Sequence, residues 1–204
     1  MTQSPEDQHP DLEALREAIG SGDPLQAMPA ITQLRFCSAE DAVPLLVLGT
    51  EQTPFLVRSL SCSGLGYKQS EEGWTVLSRL VQADADPNVR AEAANALVSN
   101  GVQRAWPLLK DVFTVDQAWL VRCSILSAFA EQQEIDLKWL YELAQVAIKD
   151  ADGTVRVSGA EILGRLVREA SVGDLGRDSR SLLQSLQQDG DHRVVAAALN
   201  GLQT

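Results

Sequence analysis

Apolar residues recur along this chain with the period of a helix and not of a strand. Five segments share one pattern: FLVRSLSCSGLG from Phe55, PNVRAEAANALV from Pro87, WLVRCSILSAFA from Trp119, GTVRVSGAEILG from Gly153 and HRVVAAALNGLQ from His192. The first four align without gaps on a Val-Arg pair, with Arg58, Arg90, Arg122 and Arg156 spaced by 32, 32 and 34 residues. In the fifth, Val195 stands at the arginine position, 39 residues further on. One residue before that position is Val57, Val89, Val121, Val155 or Val194. Three residues after it is Ser61, Ala93, Ile125, Gly159 or Ala198, and seven after it is Leu65, Leu97, Phe129, Leu163 or Leu202. Offsets of four and eight residues put these side chains on one helix face, which predicts a helix with one buried stripe in each copy.

Start signals precede the copies. Asp84-Ala-Asp86-Pro87, Asp150-Ala-Asp152 and Asp189-Gly-Asp191 each offer a second aspartate as N-cap, and Pro87 suits the first helical position, where its missing N–H costs nothing. The third copy has only Asp116, and in the first the cap falls to Thr53. A second amphipathic segment lies between copies, over Ser70–Gln82, Gln103–Phe113, Ile135–Lys149 and Asp174–Gln188. Ala39–Leu48 supplies the same helix ahead of Arg58, and Asp11–Gly20 with Pro24–Phe36 reads as a degenerate first pair. The unit is therefore helix A, turn, helix B. The chain predicts an all-α, right-handed α-solenoid of about six helix pairs, one domain over residues 11–204 behind a flexible tail over residues 1–10. Small residues three and six places after the arginine, such as Ala93, Ala96, Ala128, Gly159 and Gly201, let neighbouring helices approach closely.

The recurring charges have a structural reading. Asp86 and Asp152 complement the dipole at the start of helix B. Arg58, Arg90, Arg122 and Arg156 can pair with the aspartate of their own repeat or with one in the next, giving a charge ladder down the stack.

Composition narrows the function. The formal net charge of -11, from 28 acidic and 17 basic residues, opposes binding to nucleic acid or to an anionic membrane. The longest apolar run, Ala42–Gly49, is too short to span a bilayer, and the first residues are polar and acidic, so a cytoplasmic location is expected. Cys37, Cys62 and Cys123 are widely spaced and form no CxxC pair. They read as core or incidental thiols, with cluster or thioether chemistry as the alternative. His9 falls in the tail and His192 opens the last helix, which leaves a nucleophile system little to draw on. Gly64-Leu65-Gly66 reads as a helix C-terminus, since it lacks a third glycine and follows no strand.

The pattern D-x-x-V-R-x-x-A-A-x-A-L, fullest at Asp86–Leu97, resembles the HEAT-like repeats of the cyanobacterial phycobilin lyase family. The resemblance covers roughly residues 23–203 and implies HEAT-like helix pairs. That family includes the E and F subunits of bilin lyases, a phycobilisome-degradation protein and a HEAT protein of iron–sulfur cluster assembly. WLVRCSIL, from Trp119, is similar to its scaffold-like members. The resemblance implies a non-catalytic scaffold or chaperone whose partners are phycobiliprotein subunits or iron–sulfur assembly factors. The alternative is a lyase subunit attaching bilin to a phycobiliprotein cysteine. No catalytic residue and no metal ligand is carried over. No cofactor is expected on the first reading; bilin or an iron–sulfur cluster belongs to the alternatives.

In such an array the B helices line the concave side. Positions two and five after the arginine face away from the buried stripe, and there the repeats differ in chemistry. The candidate partner-binding residues are Glu92, Asn95, Ser124, Ser127, Ser158 and Glu161, with Leu60 and Ser63 at the same positions of the first copy. Trp119, at the start of a B helix, is a candidate anchor, whereas Trp74, Trp106 and Trp139 fall on A helices.

Overall fold

The computed structural model describes residues 11–169 and 173–203. The expected tail over residues 1–10 lies outside them. Among the described residues all regular structure is helical: α1 (Leu12–Gly20), α2 (Pro24–Gln33), α3 (Ala39–Thr50), α4 (Phe55–Lys68), α5 (Glu71–Ala83), α6 (Pro87–Asn100), α7 (Val102–Val115), α8 (Trp119–Ala130), α9 (Leu137–Ala147), α10 (Gly153–Glu169), α11 (Asp174–Leu186) and α12 (His192–Leu202). Odd-numbered helices are A helices and even-numbered ones are B helices. They make six pairs of an α-solenoid. The chain falls into two compact units, residues 1–105 and 106–204, the division lying within α7.

Caps decide where the helices begin. Asp11, Asp23, Asp86, Asp136 and Asp191 each accept a backbone N–H of the first turn, and Ser38 and Ser70 do the same for α3 and α5. Such caps contribute about 1 kcal/mol apiece. Four expectations need correction. Pro54, not Thr53, occupies the N-cap of α4 and has no side chain to donate or accept there. Asp116 does not cap α8; Ala118 takes that position, and Asp116 Oδ1 accepts the Ala118 N–H instead. Gly64 and Gly66 also lie inside α4, which runs on to Lys68. The expected run to Phe36 is split, because the last turn tightens to a 3₁₀ turn, Leu34–Phe36, before Cys37 becomes extended.

The stripe is the core of each unit. In the first, Val57, Ser61 and Leu65 of α4 and Val89, Ala93 and Leu97 of α6 are fully buried. The Ser61 hydroxyl is satisfied by donating to the Val57 carbonyl at 2.8 Å. In the second, Val121, Ile125 and Phe129 of α8, Val155 and Leu163 of α10, and Val194 and Ala198 of α12 are equally dry. The last copy departs from the pattern, since Leu202 is only half-buried and Leu199 is 45% exposed.

Successive pairs are joined by one recurring clip. Arg58 Nε and Nη2 grip the two oxygens of Asp84 at 2.8 and 2.9 Å, while Nη1 donates to the carbonyls of Gln52 and Thr53, in the turn that opens its own helix. Arg122 grips Asp150 at 2.7 and 2.8 Å and donates to Asp116 O. Arg156 grips Asp189 at 2.9 Å twice and donates to the carbonyls of Asp150 and Ala151. Arg90 makes the same turn contacts, to Asp84 O and Ala85 O. Each acid is held in turn by a backbone N–H two residues on, from Asp86, Asp152 and Asp191. The acids gripped in these ladders are thus Asp84, Asp150 and Asp189. Asp86 and Asp152 accept N–H groups of their own first turns, from Asn88 and Thr154.

Close approach of consecutive B helices is the second device. A Cβ on Gly66 of α4 would lie 2.9 Å from both Cα and Cβ of Ala96 on α6. A Cβ on Gly164 of α10 would lie 2.9 Å from the Gly201 Cα on α12. Both contacts join the eighth residue after one arginine position to the sixth after the next. Backbone, not a flexible side chain, is the obstacle there. Gly66→Val is expected to cost about 2 kcal/mol through forced separation of α4 and α6, read as a lower midpoint in urea with an unchanged slope.

The clip predicts a coupling that depends on pH. Burial pushes the Asp84 carboxyl up, but the Arg58 hydrogen bonds and the Asp86 N–H together hold it below its ordinary 3.8. For Asp189 the Arg156 hydrogen bond is the leading cause of the same downward shift. A depressed carboxyl contributes stability that is complete above its unfolded value and is lost as pH falls through the lower folded one. Arg58→Ala is expected to cost about 2–3 kcal/mol at pH 7. Arg58→Ala with Asp84→Ala should cost clearly less than the two single changes together, and this coupling should shrink in urea titrations at about pH 3. Equal coupling at both pH values would remove the ionic account.

Candidate partner-binding faces

In the first unit, Ser63, Glu92 and Asn95 of the positions two and five places after the arginines lie beside a cleft between α4 and α6. Its volume is about 470 Å³, and its lining includes Ser63, Tyr67, Gln69, Glu92, Asn95 and Ser99. The Gln69 amide is committed, donating to Ser99 O at 2.7 Å. Glu92 and Asn95, predicted from the repeat, therefore meet at one cleft. In the second unit Ser127, Ser158 and Glu161 meet at a smaller cleft of about 140 Å³ between α8 and α10. Arg165 closes one end, donating to Ala130 O at 2.6 Å and to Glu169 at 2.8 Å. Ser124 is half-buried and lines neither cleft. Trp119 is 47% exposed at the start of α8 and is likewise outside both.

A third and larger feature has no counterpart among the predicted residues. Between α2 with its 3₁₀ turn and α4 runs an apolar groove of about 560 Å³. Ile31, Leu34 and Leu46 form its buried floor. Phe36 and Tyr67 stand at its mouth, 70% and 74% exposed. The signal was present in the caps. Asp23-Pro24 aligns with Asp86-Pro87, which carries Arg35 to the position of Val98 and, in the first Val-Arg copy, of Gly66. A guanidinium cannot make the backbone contact that glycine makes.

Trp74, Trp106 and Trp139 of the A helices are engaged within the stack. Trp106 stacks on Trp139 with centroids 4.8 Å apart and meets Phe129 edge-on at 5.4 Å. Trp74 lies under the Arg104 guanidinium at 4.0 Å, and Arg104 forks onto Glu71 at 2.6 and 2.7 Å. These pairs tie consecutive A helices, α5 to α7 and α7 to α9.

The three cysteines are free thiols in different repeats, Cys62 buried and Cys37 and Cys123 half-buried. Burial pushes the fully buried Cys62 thiol up to about 12. Burial is also the leading cause of the rise at Cys37 and Cys123. Among the described residues, no three His, Cys, Asp or Glu side chains are grouped to hold a metal ion. His192 is exposed at the start of α12, and His9 lies outside the described residues. No described helix is long and apolar enough to cross a membrane. With iodoacetamide at about pH 8, Cys62 is expected to remain unmodified in the folded protein and to react once urea unfolds it. Rapid labelling of Cys62 by mass spectrometry under native conditions would contradict its burial.

A family model described as HEAT repeats matches residues 43–130, less than half of the chain. No curated protein matches the sequence. Among solved structures, the fold is similar to YibA of Escherichia coli, with a TM-score of 0.68 at 17% identity over 99% of this chain and 76% of that one. An engineered protein aligns with a TM-score of 0.58 at 18% identity, covering 96% of each chain. The complex of CpcE and CpcF of phycocyanin lyase from a Nostoc species aligns at 20% identity over 95% of this chain and 98% of that one, but its TM-score of 0.41 is too low to bear on function. The likeness to YibA and to the engineered protein is one of fold.

Proposed function

We propose that this protein is a non-catalytic scaffold or chaperone that holds other proteins on the outward faces of its B helices. One observation carries the reading. Positions one before and three and seven after each arginine are apolar or small and nearly all buried. Positions two and five after it change from Leu60 and Ser63 to Glu92 and Asn95, Ser124 and Ser127, and Ser158 and Glu161. Variation confined to the solvent side of an otherwise repeated helix is what recognition of a specific partner surface requires. Ser63, Glu92 and Asn95 line one cleft, and Ser127, Ser158 and Glu161 line another.

The sequence resemblance supplies the finer proposal: partners drawn from phycobiliprotein handling or iron–sulfur cluster assembly in a cyanobacterium. A bilin lyase subunit is the competing reading, and it rests on that resemblance alone. Adding phycocyanobilin and a phycobiliprotein apo-subunit separates the two, because a lyase subunit leaves a covalent coloured product and a scaffold does not.

The faces are tested by charge and bulk. Asn95→Arg and Ser127→Arg, one in each unit, are expected to remove the proteins that co-purify with the chain from native cells. Both sites are solvent-facing, so the melting temperature should stay within about 1–2 °C. An unchanged set of co-purifying proteins from the double variant would show that these faces are not the ones used.

A further inference from the structure

The apolar groove between α2 and α4 has a lining whose shape and charge specify its occupant. On the α4 side it is lined by Leu60, Ser63, Gly64 and Tyr67, which are spaced as one stripe of a helix. From Leu60 to Tyr67 the stripe runs about 10 Å, two turns of a helix laid alongside. The lining includes two cations, Arg35 and Lys68, and no carboxylate, on a chain whose net charge is -11. Lys68 is fixed at the rim, Nζ donating to the carbonyls of Arg35 at 3.0 Å and Cys37 at 2.5 Å. Arg35 lies 4.4 Å over the Phe36 ring and makes no ion pair among the described residues.

We infer that this groove receives an amphipathic helix of a partner protein, with apolar residues facing Ile31, Leu34 and Leu46 and carboxylates facing Arg35 and Lys68. The inference deepens the scaffold reading and rests on it. Helix-in-groove docking uses anchors one and two turns apart, which the length of the α4 stripe accommodates. Phe36 and Tyr67 supply exposed aromatic contact at the rim, the residue types that most often dominate such interfaces. An open trough with two solvent-facing rings suits a peptide helix better than a free amphiphile, which needs enclosure of its chain.

The test uses the full chain and a fluorescein-labelled amphipathic peptide with leucines at i, i+4 and i+7 and glutamates on both flanks. A second peptide replaces every glutamate with lysine. Fluorescence anisotropy is expected to show the acidic peptide binding at least about tenfold more tightly. Arg35→Glu should abolish that preference, and Tyr67→Ala should weaken the acidic peptide by about tenfold. Both side chains are exposed, so unchanged melting curves will show that the variants fold. Equal binding of the two peptides, or variants that bind like the parent, overturns the inference. So does binding of oleate, but not of either peptide, in a manner lost with Tyr67→Ala, which would make the groove a site for a free carboxylate amphiphile. If neither peptide binds while Asn95→Arg with Ser127→Arg still abolishes co-purification, the groove assignment falls and the scaffold reading stands.

Discussion

A guanidinium that holds the carbonyls of its own turn and the carboxylate of the next pair fixes two helix pairs at a single point. Arg58, Arg122 and Arg156 all do this with the same atoms: Nη1 inward, Nε and Nη2 forward. The gripped Asp84, Asp150 and Asp189 are themselves tied to the turn that opens the following B helix. Side-chain exposures of 16% and 6% for Arg58 and Asp84 show how far the clip is withdrawn from water. Ion pairs so placed lose much of their Coulombic gain to desolvation. The clip is therefore better understood as a register device than as a large source of stability. Apolar burial holds the layers together; the clip dictates which turn meets which.

Register in turn permits the close packing. At the α4/α6 and α10/α12 junctions the eighth residue after one arginine position faces the sixth after the next. Gly66 then meets Ala96, and Gly164 meets Gly201. A clip with any other offset would place larger side chains at those points. The opening turns, the carboxylates and the small residues are thus one interdependent set, and each explains why the others recur with the same spacing.

The parts of this arrangement that depend on periodicity were legible in the sequence. Helix α5 was expected over residues 70–82 and forms over Glu71–Ala83; α11 was expected to begin at Asp174 and does. The buried stripe was readable as well, because the offsets of four and eight residues belong to any α-helix. Which aspartate meets which arginine was not readable. Two candidates lie two residues apart in each turn, and only three-dimensional packing distinguishes the cap, Asp86, from the gripped acid, Asp84. The cap of α4 escaped for a related reason: Arg58 draws the Thr53 and Gln52 carbonyls inward, and Pro54 takes the boundary with no side-chain cap bond. Glu92 and Asn95 could be singled out because they sit at fixed places in the repeat, and the structure sets both beside one cleft.

The groove escaped because it lies where the repeat breaks. Arg35 aligns with Gly66, Val98, Ala130 and Gly164, in a pair without the Val-Arg signature, so a search for likeness passes over it. The groove there lies over Ile31, Leu34 and Leu46, which stay buried. A repeat protein gains a distinctive surface most economically by violating one packing position and leaving the others intact. Arg35 satisfies that description: the core beneath it stays buried, and the surface above it acquires a shape and a charge that the other described clefts do not share.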